Sequence, residues 1–149
     1  MNNKIKIIDS LNFLGESLQK LIDDHIKSGL KFDITKKVLS SKNILPNSEL
    51  YDLLISGKPA MCYDYISDIN KLSETKLPNK NQFFNTLRNT AISEEHYITS
   101  NKIYELSKCK NIGDYLILYN NMDVLLLCDI FLTWRKTFFE NYHLDIAQY

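Results

Sequence analysis

Glycine, proline and arginine are scarce in this chain. There are 4 glycines and 3 prolines in 149 residues, and of 18 basic residues only Arg88 and Arg135 are arginine. So few breakers argue for a mostly helical chain with few tight turns. Cysteine is sparse too: Cys62, Cys109 and Cys128 are odd in number, widely spaced and without a Cys-x-x-Cys pair. Free thiols in a reducing, intracellular setting are the plain expectation. Three scattered histidines, His25, His96 and His143, give no zinc-ligand spacing. An excess of charge is also missing, since 18 basic residues balance 18 acidic ones. No global field draws a polyanion, and any contact with nucleic acid has to come from a local patch. The opening stretch "MNNKIKIIDSLNFLG" lacks the apolar core of a secretory signal. The leucine run near residue 125 is far shorter than the roughly 20 residues that span a bilayer, so no membrane association is expected.

What is present is ordinary for a globular chain: 44% hydrophobic and 24% charged residues. The length fits one domain, or one piece of a domain, able to bury about 70% of its unfolded surface. "KIKIID" (4–9) alternates and is rich in isoleucine, which predicts a short strand. "LGESLQKLIDDHIKSG" (14–29) has helical spacing and a closing Gly29. "LPNSELYDLLISGK" predicts a helix capped by Asn47 or Ser48 and stopped by Gly57. "KPAMCYDYI" (58–66) reads as loop or strand, and "LPNKNQFFNTL" begins a short helix after Pro78. "SEEHYITSNKIYELSK" (93–108) has Ser93 at the N-cap and acids in its first turn. Residues 111–142 form the longest apolar-periodic segment, one long helix or two nearly abutting.

That last segment holds a puzzle, "YNNMDVLLLCDIF" (119–131). Asp123 is followed by Val124, Leu125, Leu126, Leu127 and Cys128, a run that reads as buried. An ionised carboxylate in such company is costly unless it is paired or bound to a metal. Tyr119 lies four residues earlier, on the same helical face. Two readings stay open on physics alone. Asp123 could cap a helix that starts at Val124. It could instead be a metal-binding carboxylate whose neighbouring tyrosine orients a water, as two-metal phosphodiester cleavage requires. Phe131, Trp134, Phe138 and Phe139 read as core rather than as a base-stacking platform.

The order of short motifs along the chain favours the second reading. "IIDSLNFLGESLQKL", "GKPAMCYDYI", "KLPNKNQFFNTL" and the stretch from "ISEEHYITS" to "LDIAQY" together resemble the protein-primed family B DNA polymerases of viruses, organellar plasmids and self-replicating transposons. Residues 28–50 are the part that matches vaguely. The resemblance implies an α/β fold: an incomplete ribonuclease H-like exonuclease domain, predominantly helical with one or two short strands. Residues 1–149 would be the C-terminal portion of the 3′–5′ exonuclease domain, ending near the junction to the polymerase palm. It implies that Tyr119 and Asp123 form the family's Tyr-x-x-x-Asp motif, with Asp123 a metal ligand and Tyr119 placing the attacking water. "SLNFL" would bring Ser10 and Leu11 to the single-stranded DNA 3′ end or the priming terminal protein, with Leu14 as packing. "KPAM" would make Lys58 a phosphate-facing cation that supports catalysis.

The sequence departs from the family as well. It contains no Asp-x-Glu and no palm aspartate motif, which the family carries upstream of "KIKIIDS" and downstream of "LDIAQY". Pro59, Cys62, His143 and Ile146 stand where glycine or proline is commoner. The parent activity implied is DNA synthesis with proofreading, using Mg2+ or Mn2+ held in the complete enzyme. With one carboxylate of four, this chain alone is expected to hold neither ion well and to be inactive without its missing polymerase half. Alternatives are a non-catalytic DNA-binding or protein-interaction remnant, and an unrelated helical domain whose Tyr-x-x-x-Asp is chance. Strand 4–9 without sheet partners and an uncovered long helix would expose apolar surface and favour self-association.

Overall fold

The computed structural model describes residues 14–46, 48–56 and 59–148. Helical conformations make up 65% of it. Among the described residues the α-helices with bounds are, in order, α1 (Leu18–Lys27), α2 (Asp33–Ser41), α3 (Glu49–Ile55), α4 (Glu94–Leu106) and α5 (Ile112–Tyr142). Between α3 and α4 the chain makes three 3₁₀ turns, Tyr63–Tyr65, Ile69–Ser73 and Lys80–Phe83. The expected strand 4–9 lies outside the described residues. Residues 59–66 are not a strand but irregular backbone around the first 3₁₀ turn. Among the described residues β pairing is limited to one isolated bridge, Asn85 to Thr90.

Local signals set most of the boundaries. Ser17, Ser48, Ser93 and Asn111 accept from backbone N–H groups in the first turns of α1, α3, α4 and α5. α1 ends in a Schellman motif: the Gly29 N–H donates to the Ile26 carbonyl (2.9 Å) and the Leu30 N–H to that of His25 (3.2 Å). Gly29 has φ +68, the left-handed region that glycine enters without strain. α5 is one continuous helix, so Asp123 lies in its interior and does not cap a helix starting at Val124. It closes on His143 at φ 57, a position glycine fills more cheaply, and the turn forms nonetheless.

α5 is the axis of the fold. Ile112, Tyr115, Tyr119, Met122, Leu126, Asp129 and Ile130 are buried, spaced by threes and fours along one seam. α1, α2 and the Ile69–Ser73 turn pack on it. At Gly113 an added Cβ would sit 3.4 Å from the Leu72 carbonyl oxygen, so this turn and the helix approach closely. The leucine run is therefore no buried wall: Leu126 is fully buried, but Val124 is 67% exposed and Leu125 and Leu127 are half-buried. The seam ends at Ile130, and Trp134, Phe139 and Tyr142 are exposed rather than core.

α5 also carries an 18-residue window of mean hydropathy 1.5, with 28% of that window buried. By length and composition it is apolar enough to cross a membrane, which the unbroken leucine run alone understates. The core helix of a globular domain meets the same criterion.

Candidate functional site: the Tyr119–Asp123 pair

Tyr119 and Asp123 stand one turn apart on α5, the tyrosine buried and the aspartate half-buried with its Oδ1 atom shut off from solvent. The Tyr119 hydroxyl takes part in hydrogen bonds with Tyr63 and with Asp123. The Tyr63 ring meets the Tyr119 ring edge-on, with centroids 5.8 Å apart and planes at 87°. Burial, ahead of the opposing Tyr63 hydrogen bond and the Asp123 charge, pushes the Tyr119 phenol up to about 12. Tyr119 is thus a neutral donor at physiological pH. It can orient a carboxylate or a water but cannot serve as a base.

Among the described residues no group of three or more His, Cys, Asp or Glu side chains could hold an ion. Asp123 alone offers one carboxylate where two ions about 4 Å apart need several. Lys58, Ser10 and Leu11 lie outside the described residues. Leu14, expected as packing, is buried in the core.

The acid that does sit deep in α5 is Asp129. Its carboxylate accepts from the backbone N–H groups of Ile34 (2.9 Å) and Thr35 (2.8 Å) and from the Thr35 hydroxyl (2.7 Å). These are the orphan donors of the α2 N-terminus, whose own N-cap residue, Phe32, supplies no side-chain acceptor. Asp129 therefore caps α2 from 95 residues away, and the helix dipole favours its negative charge. The buried-acid problem is solved here by a helix end, without a metal. Its signal in the sequence was seam position: Asp129 follows Met122 and Leu126 at the same three-and-four spacing.

Two further residues escaped sequence reasoning. The Tyr115 hydroxyl donates to the Ala60 carbonyl (2.9 Å), and the Ala60 N–H donates to Ser100 Oγ (3.1 Å). Tyr115 and Ser100 thus fasten the 59–66 segment to α5 and α4. Cys62 on that segment is buried, which pushes its thiol up to about 11 and makes it a poor nucleophile. Nothing in the spacing of these residues foretells the contact, because it joins positions 40 and 55 residues apart.

Compared with known proteins, the chain matches no protein-family model, no curated protein and no solved structure.

Proposed function

We propose that this chain is the later part of the 3′–5′ proofreading exonuclease region of a protein-primed family B DNA polymerase. Its helices would then be the C-terminal portion of a ribonuclease H-like domain. The observation that carries this reading is the Tyr119–Asp123 pair, one turn apart on one face of one helix, with the tyrosine held neutral. The order of that pair after "SLNFL" and "KPAM" adds to it.

In such an enzyme Asp123 would supply one carboxylate toward a Mg2+ or Mn2+ ion, whose chemistry when bound would be to polarise the phosphodiester and activate a water. Tyr119 orients the carboxylate or the water without exchanging its own proton. Ser10 and Leu11 would meet the single-stranded 3′ end or the terminal protein, and Lys58 a phosphate. The remaining carboxylates and the palm would come from residues beyond this sequence.

The purified chain is expected to release no mononucleotides from a single-stranded oligonucleotide in Mg2+ or Mn2+. Release by the chain alone, abolished by Asp123→Ala, would overturn the incomplete site. In-frame coding sequence for Asp-x-Glu upstream and palm motifs downstream supports the reading. Stop codons on both sides favour a second one, a non-catalytic binding remnant. The observation behind that second reading is the exposed aromatic side of α5, where the Trp134 and Phe138 rings stack 5.6 Å apart and Phe138 meets Tyr142 at 5.5 Å.

A further inference from the structure

We propose that the cavity between the end of α1 and the outer part of α5 binds a small planar aromatic cation that carries N–H donors. Its lining does not include Tyr119 or Asp123, so the inference stands apart from the exonuclease reading.

The cavity holds about 340 Å³, within the range of small-molecule sites. Leu21 and Ile130, both buried, line its apolar interior, while Leu30 and Thr137 are exposed and mark its opening. Trp134 and Phe138 form an aromatic side, with ring centroids 5.6 Å apart and planes inclined by 19°. A flat ring stacks on such a wall, and a cation is drawn to its π faces. Another side is held in place by the buried His25, whose ring packs on Phe32 at 4.6 Å. Its Nε2 meets the Lys31 carbonyl at 3.2 Å, and the Schellman turn at Gly29 is what brings Lys31 back to it. A ligand entering a site already shaped has little ordering to offset.

The polar groups of the lining choose the occupant. The Thr133 hydroxyl donates to the Asp129 carbonyl and the Thr137 hydroxyl to that of Thr133, both at 2.9 Å. With their single protons spent on the helix, these oxygens have only lone pairs left to offer. A carbonyl accepts and cannot donate, so His25 spends its Nε2 proton on Lys31 in the same way. Ser28 can turn its hydroxyl either way. Asp24 supplies a carboxylate, of which Lys20 engages Oδ2 at 2.8 Å, and a carboxylate accepts in several directions. Among the described lining residues there is no lysine or arginine, so the fixed charge of the cavity is that of Asp24. Acceptors, one carboxylate and an aromatic wall together match a flat cation with N–H groups and reject an anion of the same shape.

The experiment titrates the full chain with benzamidine, a phenyl ring bearing an amidinium, and with benzoate, the same shape bearing a carboxylate. Trp134 is the chain's one tryptophan, so its fluorescence reports the site without a label. Benzamidine is expected to change that fluorescence saturably with a Kd of about 1 mM or tighter. Benzoate is expected to bind at least about tenfold more weakly. NMR contacts from benzamidine to the Leu21 and Ile130 methyl groups place it in the cavity. Asp24→Asn and Thr137→Val, both at exposed positions, should each weaken benzamidine about threefold or more while circular dichroism stays that of the parent chain. Absence of a saturable change overturns the proposal, as does benzoate binding as tightly as benzamidine or undiminished binding in both variants. The comparison of the two probes needs no variant, so a substitution that fails to fold leaves it decisive. Neither metal nor DNA is present, so its failure is distinct from a failure of the exonuclease reading.

Discussion

Residues 112–130 and 131–142 belong to one helix but do different work. The first stretch carries every buried residue of α5, including Tyr119 and the α2 cap Asp129 on its seam, with the half-buried Asp123 one turn after Tyr119. In the second none is buried. The seam stops because its next positions are Thr133, Lys136 and Glu140, while the aromatic residues move to another side at 134, 138 and 142. A hydrophobic segment of 31 residues is thus two surfaces in sequence: one spent on this fold, one left facing outward. Apolar composition alone does not separate them; the phase of the spacing does.

The contrast can be broken most forcefully within the first stretch. Leu126→Ala is expected to cost about 3 kcal/mol in urea unfolding, whereas Val124→Ala, two residues earlier and 67% exposed, should stay within about 0.5 kcal/mol. Comparable losses from both would mean that the seam is misplaced. Asp129→Ala comes next, at about 2–3 kcal/mol, because it strands two α2 N–H groups and a hydroxyl. Amide exchange should rise selectively in the first turn of α2. Tyr115→Phe follows at about 1 kcal/mol, the loss of one buried hydrogen bond to Ala60.

Alkali sharpens the comparison from another side. The folded-state midpoint of Tyr119 is raised, so its contribution is complete below the unfolded tyrosine value near 10 and is lost as pH climbs toward about 12. Tyr119→Phe should flatten that alkaline limb of the stability curve. The smallest stability effect belongs to the outer stretch: Trp134→Ser with Phe139→Ser should change unfolding by less than about 1 kcal/mol. Sedimentation should nonetheless show less self-association at high concentration, since these exposed aromatics are the proposed contact surface.

The parts legible in the sequence were those governed by neighbours. Ser93 with two acids announced α4, Gly29 announced the end of α1, and the apolar period announced α5. α2 was not legible, because its cap is supplied by Asp129 from across the fold and Phe32 offers none of its own. The aromatic run after Pro59 looked β-prone, yet Tyr63 and Tyr65 are each tied to a separate tertiary partner and no strand forms. At the candidate site, the Tyr119–Asp123 spacing could be read directly. The burial argument first raised for Asp123 belongs with greater force to Asp129, whose place on the seam a leucine count does not reveal.

The central proposal is that Asp123 and Tyr119 form one corner of a proofreading site. The most direct measurement is Mg2+-dependent release of mononucleotides from the 3′ end of single-stranded DNA by a longer chain that adds an upstream Asp-x-Glu segment to these residues. The account predicts release that falls at least about a hundredfold in Asp123→Ala and less in Tyr119→Phe, as loss of a metal ligand against loss of an orienting group. Undiminished release in Asp123→Ala would contradict it.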